Sequence, residues 1–98
     1  MKAFTVTLTA ANTNYSLRTL VRAIDSTIDD TAKQIDIVAD VGNASPVLIG
    51  DASLSGTRYG NSLTAGDSVT IKGRGFVHLS NLNARSTGTT QKVLVTLW

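Results

Sequence analysis

Apolar and polar residues alternate along three segments of this 98-residue chain. The segments are AFTVTLT (residues 3–9), QIDIVADV (residues 34–41) and KVLVTLW (residues 92–98). Successive side chains of a strand point to opposite faces, so this alternation predicts half-buried β-strands. The residues expected to face the core are Phe4, Val6, Leu8, Ile35, Ile37, Ala39, Val41, Val93, Val95 and Leu97.

Three shorter segments also predict strands: VLIG (residues 47–50), DSVTIK (residues 67–72) and GFVHLSNL (residues 75–82). In the second, Val69 and Ile71 share one side. The glycine-rich segment GRG (residues 73–75) predicts a turn between the strands at residues 67–72 and 75–82. Six or so short strands separated by turn signals favour an all-β, antiparallel β-sandwich or small barrel. At this length we expect a single domain, residues 1–98.

One segment, YSLRTLVRAI (residues 15–24), has the period of a helix instead. Its apolar residues recur at i, i+3, i+4 and i+7, which predicts one buried stripe on a short α-helix. The expected stripe is Leu17, Leu20, Val21 and Ile24, and the expected cap is one of Asn12, Thr13 or Asn14. The aspartates that follow, Asp25, Asp29 and Asp30, predict a solvated turn at the helix exit.

Charge and composition argue against several classes of partner. The net charge is +2, and the nine basic residues are scattered along the chain, whereas nucleic-acid binding needs a clustered stripe with exposed aromatics. No apolar run approaches the ~20 residues of a membrane span, and the N-terminal residues lack the apolar region of a signal peptide. We therefore expect a soluble protein that binds neither nucleic acid nor membranes.

The residues that could carry chemistry lack the spacing that chemistry requires. His78 is the only histidine, and Ser80 or Ser86 could be placed beside it, but no nucleophile elbow supports a catalytic triad. The three aspartates do not follow the calcium-loop pattern, and cysteine ligands for zinc are absent. The glycine-containing turns match no phosphate-binding loop. We expect no catalytic residue, no cofactor and no metal, and hence no enzyme.

A different role is indicated by the polar segment between Gly50 and Ser68. Here Leu54 and Leu63 are expected to reach back into the core, and Gly66 to adopt a positive φ in a turn capped by Asp67 or Ser68. Arg58, Tyr59 and Asn61 are left near the tip, and arginine and tyrosine are enriched at interfaces. Packing of Tyr59 against its own loop is an equally open alternative.

The C-terminal strand carries the other interface candidates. Leu94 and Trp98 lie opposite the core-facing residues of that strand, so one sheet face would leave them exposed. A small β domain also buries only a modest fraction of its surface on folding, so association with further copies would stabilise it. We therefore predict a homo-oligomer, with a trimer as the expected state, whose contacts include residues 55–63 and the C-terminal strand. Packing of Leu94 under the helix of a monomer is the alternative.

Much of the chain resembles a group of small virion proteins of tailed bacteriophages. The similarity rests on FTVTLTAANTNYSLRTLVRAID (residues 4–25) and on PVLIGDASLSGTRYGNSLTAGDSV (residues 46–69), with its IGD, YG and AGDS steps. Such proteins resemble jelly-roll-like subunits that decorate or cement phage heads, often as trimers. The resemblance thus implies a jelly-roll-like fold and a non-enzymatic capsid decoration protein.

The resemblance also implies a partner and a location. The partner would be the phage major capsid protein, and the location the exterior of the capsid, after synthesis in the host cytoplasm. Two alternatives remain open, a protein of the tail or fibre and a carbohydrate-binding sandwich module. The latter needs exposed aromatics on one face, for which Tyr15, Tyr59 and Trp98 are the candidates.

Overall fold

The computed structural model describes all residues, 1–98, as eight strands, one α-helix and one short 3₁₀ helix. The alternating segments form the longer strands, as the sequence predicts. In chain order the elements are β1 (Lys2–Leu8), β2 (Tyr15–Ser16), α1 (Leu17–Ile24), β3 (Thr31–Ala39), β4 (Val47–Gly50), β5 (Asn61–Leu63), β6 (Ser68–His78), the 3₁₀ helix (Leu79–Asn81), β7 (Asn83–Ser86) and β8 (Gln91–Leu97).

The strands form two four-stranded antiparallel sheets, packed as a sandwich. The first sheet has the order β1-β8-β3-β6 and the second has the order β2-β7-β4-β5. The first strand thus pairs with the last, the second with the seventh, the third with the sixth and the fourth with the fifth. A chain folded back on itself and rolled in this way has the jelly-roll arrangement. The predicted all-β sandwich with one short helix is confirmed.

The core lies between the two sheets and is made by the alternating apolar residues. The fully buried side chains include Val6, Leu8, Ile35, Ile37, Ala39, Val93 and Val95, as predicted, with Val47, Ile49 and Ala84 facing them from the second sheet. Leu63 belongs to the core, also as predicted, whereas Leu54 is buried but lies outside the core cluster. The prediction for Val41 is wrong, because β3 ends at Ala39 and Val41 lies in the exposed turn that follows.

The predicted turn at residues 73–75 is wrong. Ser68–His78 forms one continuous strand of eleven residues, which pairs with β3 along most of its length. The pairing passes from Ala32–Val77 to Gln34–Lys72, so the single residue Lys33 lies opposite residues 73–76. Gly73 and Gly75 therefore lie in a bulge of four residues on β6. The predicted strand at residues 75–82 also ends early, because Leu79–Asn81 turns as a 3₁₀ helix.

Helix α1 begins one residue after Ser16, whose hydroxyl accepts a hydrogen bond from the amide of Thr19. The predicted caps at residues 12–14 are therefore wrong, because Tyr15–Ser16 first pairs with β7. Leu17 and Val21 are buried and Leu20 is partly buried, but Ile24 is exposed, since it is the last residue of the helix. No helix of the chain has the length and apolar content needed to cross a membrane.

Candidate interaction surfaces

Residues 51–60, here called the β4–β5 loop, join two paired strands and are anchored at three points. The Leu54 side chain is buried in the fold, and its carbonyl accepts a hydrogen bond of 2.7 Å from the Asn14 side-chain amide. The third anchor is the Gly60 amide, which donates to the carbonyl of Ile49 on β4 at 2.8 Å, while the Leu54 amide donates within the loop to the carbonyl of Asp51 at 3.0 Å. These contacts fix the base of the loop on the sandwich.

The tip of the β4–β5 loop is ordered by its own polar side chains. The Ser55 hydroxyl accepts from the Arg58 amide at 3.1 Å, and the Ser53 hydroxyl accepts from Arg58 Nε at 2.8 Å. Hydrogen bonds from the Ser53 hydroxyl and amide hold the pKa of the Asp51 carboxyl below its usual value, with a further contribution from the nearby Arg58 charge. One edge of the Arg58 guanidinium is thereby fixed, while its terminal nitrogens make no hydrogen bond within the chain.

Beside this arginine the structure presents an aromatic ring. Tyr59 is 49% exposed and is not among the apolar residues packed on the core. Gly50, Asp51, Arg58, Tyr59 and Gly60 line a shallow cleft of about 360 Å³. Asn61 is exposed at the start of β5, which is the edge strand of its sheet. The three interface residues that the sequence analysis predicts in this segment are thus all exposed.

Leu94 and Trp98 lie elsewhere, on the outer face of the first sheet. Leu94 is 39% exposed and lies between Thr5 on β1 and Val38 on β3. The alternative that Leu94 packs under α1 is therefore wrong, because the helix contacts β1, β2 and the 3₁₀ helix. The five predicted interface residues form two separate surfaces, one on each sheet.

The Trp98 ring is held in place although it is 53% exposed. Its indole Nε1 donates to Asp36 Oδ2 at 2.7 Å, and the Thr70 hydroxyl donates to Asp36 Oδ1 at 2.7 Å. These hydrogen bonds, from Thr70 first and then from Trp98, keep the pKa of the Asp36 carboxyl below its usual value. The sequence places Asp36 on the outside of β3 but gives no sign that it orients Trp98, because the two residues are paired only in the folded sheet.

The serine and histidine residues that could suggest a catalytic triad have other partners. Ser80 donates to Asp30 twice, through its hydroxyl at 2.8 Å and its amide at 2.8 Å, and His78 Nδ1 lies 3.3 Å from the same carboxylate. Ser86 is buried and donates to the carbonyl of Pro46 at 2.8 Å. Neither serine is bonded to the histidine, so the Ser–His pair that nucleophilic catalysis uses is not formed.

Asp30 instead connects three parts of the fold, and we call Asp30 with its partners Arg18, His78 and Ser80 the Asp30 cluster. Burial acts to raise the pKa of the Asp30 carboxyl, but hydrogen bonds from Ser80 and His78, with the Arg18 charge 3.5 Å away, outweigh it and lower the pKa. The sequence analysis assigns Asp30 to a solvated turn, because its partners at positions 78 and 80 are distant in sequence. No group of three or more histidine or acidic side chains lies close enough to hold a metal ion.

The aromatic residues considered for carbohydrate binding do not share a face. The Tyr15 hydroxyl, at the edge of the second sheet, is bonded to the Thr9 hydroxyl at 3.0 Å and to the Ala10 amide at 2.9 Å. Tyr59 lies in the β4–β5 loop and Trp98 on the outer face of the first sheet. These positions do not form the row of exposed rings that the carbohydrate-binding alternative needs.

Comparison with family models, with curated proteins and with solved structures finds no match for this chain. The fold therefore defines its class as a small antiparallel β-sandwich in the jelly-roll arrangement.

Proposed function

We propose that this chain is a non-enzymatic structural subunit of a tailed-bacteriophage virion, which binds the exterior of the assembled head and stabilises it. The observation that carries the proposal is the β4–β5 loop. It is anchored by Leu54 and by main-chain hydrogen bonds, yet it presents Arg58 and Tyr59 to solvent. Together with the sequence resemblance, a fixed loop with interface residues at its tip supports docking on a protein shell.

Stabilisation follows from mass action. A subunit that binds the assembled shell, and not the dissociated capsid protein, shifts the equilibrium towards the shell. The hydrogen bonds that fix Arg58 before binding reduce the conformational entropy lost on docking. Many symmetry-related copies add to the effect without strong individual contacts. The partner in this proposal is the phage major capsid protein, and the subunit is made in the host cytoplasm before it reaches the particle.

We further propose that the subunit is a homotrimer. The β4–β5 loop and the outer face around Leu94 are different surfaces on different sheets. Contacts between two unlike surfaces generate closed rings when the rotation between copies allows it. The resemblance to decoration proteins, which are often trimers, supplies the number of copies, so light scattering at micromolar concentration should give three times the chain mass of 10.3 kDa. A monomer mass under these conditions contradicts the oligomer.

Location in the particle tests the proposed function directly. Electron microscopy of an intact phage that carries the chain should place the subunit on the outer surface of the head. Density in the tail or in a fibre would support the alternative assignment, and no density in the particle would refute a virion role.

The docking element is tested by binding of the purified chain to heads that lack it. The double variant Arg58→Ala/Tyr59→Ala should bind at least roughly tenfold more weakly than the wild type, the effect of losing one or two interface anchors. Its circular dichroism spectrum should be unchanged, because neither side chain is buried. The matched control is Thr87→Ala/Thr89→Ala, two exposed residues of the connection between β7 and β8. Equal binding by both variants would exclude the β4–β5 loop as the docking element.

A further inference from the structure

The bulge on β6 forms a second exposed feature at the edge of the first sheet. β6 is the last strand in the order β1-β8-β3-β6, so its outer edge has no neighbouring strand. Residues 73–76 lie opposite the single residue Lys33 of β3. A β-carbon added at Gly73 or at Gly75 would meet no atom within 4 Å. The bulge is therefore open to a partner on its surface.

The side chains around the bulge are cationic and aromatic. Val69, Ile71 and Val77 pack against the core, so their neighbours Lys72 and Phe76 lie on the outer side of β6, whereas Arg74 lies within the bulge. Phe76 is 64% exposed, although it is one of the largest apolar side chains of the protein. The lysine, the arginine and the bulge residue Lys33 are also exposed.

These three cations have no partner within the molecule. The ion pairs of the chain join only Arg18 and His78 to Asp30. No side-chain hydrogen bond involves Lys33, Lys72 or Arg74. Their positive charge is thus available to an external group.

Trp98 lies beside this charge. Its amide donates to the carbonyl of Gln34 at 3.0 Å, and its carbonyl accepts from the Lys33 amide at 3.0 Å. Gln34 in turn lies directly opposite Lys72. Neighbouring strands are about 4.8 Å apart, so the backbones of Trp98 and Lys72 are separated by roughly 10 Å across the sheet. The ring itself is oriented by Asp36 and half exposed.

We propose that Lys33, Lys72, Arg74, Phe76 and Trp98, here called the aromatic–basic patch, form a docking surface for an acidic face of another protein. Charge complementarity defines the partner, because unpaired cations attract carboxylates and reject basic surfaces. The two rings supply apolar area, and tryptophan and arginine dominate the energetics of protein interfaces. This surface is distinct from the β4–β5 loop, and the inference stands whether or not the chain belongs to a phage head.

A protein partner is favoured over a nucleic acid by the number of charges. Affinity for nucleic acid comes mainly from phosphate contacts and falls steeply with salt for each contact made. Three cations on one short edge give few such contacts. A protein partner would in addition bury Phe76 and Trp98, a contribution that salt does not screen.

Trp98 is the only tryptophan, so its fluorescence reports on the patch directly. The purified chain is titrated with poly-L-glutamate and, separately, with oligothymidylate, at low ionic strength where exposed charges are least screened. Poly-L-glutamate should change the emission of Trp98 and bind more tightly than oligothymidylate at the same charge concentration. Tighter binding of oligothymidylate, or no binding of poly-L-glutamate, overturns the proposal.

Charge variants distinguish binding at the aromatic–basic patch from attraction by the net charge of the protein. Lys72→Gln/Arg74→Gln should weaken poly-L-glutamate binding roughly tenfold, whereas the control Arg85→Gln/Lys92→Gln removes the same charge elsewhere and should leave most of the binding intact. If both variants lost the same affinity for poly-L-glutamate, net charge alone would explain the binding, and the proposal would be overturned.

The apolar part of the patch is tested in the same assay. Phe76→Ala should weaken binding several-fold, whereas Ile24→Ala, at another exposed apolar residue, should not. Light scattering of the Lys72→Gln/Arg74→Gln variant should give the wild-type mass. A lower mass would mean that the patch contacts a second copy of the chain, which would overturn the assignment of an acidic partner.

Discussion

The Asp30 carboxylate joins the 3₁₀ helix, α1 and the end of β6, and its removal should destabilise the whole domain. Asp30→Ala deletes the acceptor of two hydrogen bonds from Ser80, each of 2.8 Å. It also deletes the ionic partner of Arg18 and the carboxylate that lies 3.3 Å from His78 Nδ1. The backbone bond from the Leu79 amide to the Asp30 carbonyl is unaffected by the change.

The decrease in the free energy of unfolding follows from the number of these contacts and from the exposure of the residues that make them. A hydrogen bond to a charged group contributes about 1.5–3 kcal/mol, and the low end applies here because the Asp30 side chain is 30% exposed. The ion pair with Arg18 adds about 0–1 kcal/mol, because the Arg18 side chain is 44% exposed. We therefore expect Asp30→Ala to lower the free energy of unfolding by about 2–4 kcal/mol, a large part of the ~5–15 kcal/mol of a typical domain.

Urea unfolding followed by Trp98 fluorescence measures this loss. The matched control is Asp29→Ala, since Asp29 is exposed and makes no side-chain hydrogen bond, and its effect should stay within about 0.5 kcal/mol. Comparable losses in the two variants would refute the role of the Asp30 cluster.

The dependence on pH gives a second check. The pKa of Asp30 lies below its ordinary value of 3.8, so the folded state favours the ionised form. Stabilisation by a group of this kind is complete above the unfolded pKa and is lost as the pH falls through the folded pKa. The difference in unfolding free energy between the wild type and Asp30→Asn should therefore be full at pH 6 and shrink below about pH 4. A difference that grows on acidification would contradict this assignment.

Three further predictions, two of them with a control variant, test the packing and backbone of the domain by the same unfolding measurement. Leu17→Ala should cost about 2–5 kcal/mol because its side chain is buried, whereas Ile24→Ala should cost less than about 0.5 kcal/mol. Gly88→Ala should cost about 1–3 kcal/mol, because its β-carbon would lie 2.6 Å from the Ser45 hydroxyl. Gly56→Ala should be neutral or slightly stabilising, because the space around Gly56 is open. Equal effects of the two substitutions would contradict this reasoning. Thr90→Asn should stabilise by about 0.5–1 kcal/mol, since a β-branched residue is strained at φ 55°, and a loss would contradict the strain.

The pattern of the sequence by itself determines which strand residues are buried. Val6, Leu8, Val93 and Val95 face the core because strand geometry alternates whatever the neighbouring strand is. The period of 3.6 likewise identifies the face of α1 that contains Leu17 and Val21. Local turn chemistry is also readable, since Gly66 has the expected positive φ of 86° and the Asp67 side chain accepts from the amide of Thr64. Local patterns suffice here because their causes are local.

Local sequence indicates whether a candidate interface residue is exposed, but it does not indicate which residues lie next to it in the folded protein. The polar composition of the β4–β5 loop places Arg58 and Tyr59 away from the core but leaves open whether Tyr59 packs against its own loop; in the structure both residues are exposed. The hydrogen bond that fixes the Arg58 side chain is accepted by the Ser53 hydroxyl of the same loop, and no spacing rule predicts it. The sequence likewise gives no indication that Leu94 and Trp98 lie on the other sheet, apart from this loop.

Only the tertiary structure decides which distant residues meet. The glycines of the GRG segment lie in a bulge within one long strand, not in a turn, because β3 pairs with β6 on both sides of them. Asp30 reaches Ser80, and Asp36 reaches Trp98, through contacts between residues 50 and 62 positions apart. The aromatic–basic patch depends in the same way on the pairing of β3 with β6 and β8. Such contacts form because burying the two sheet faces against each other fixes the strand order, and a local pattern carries no information on that order.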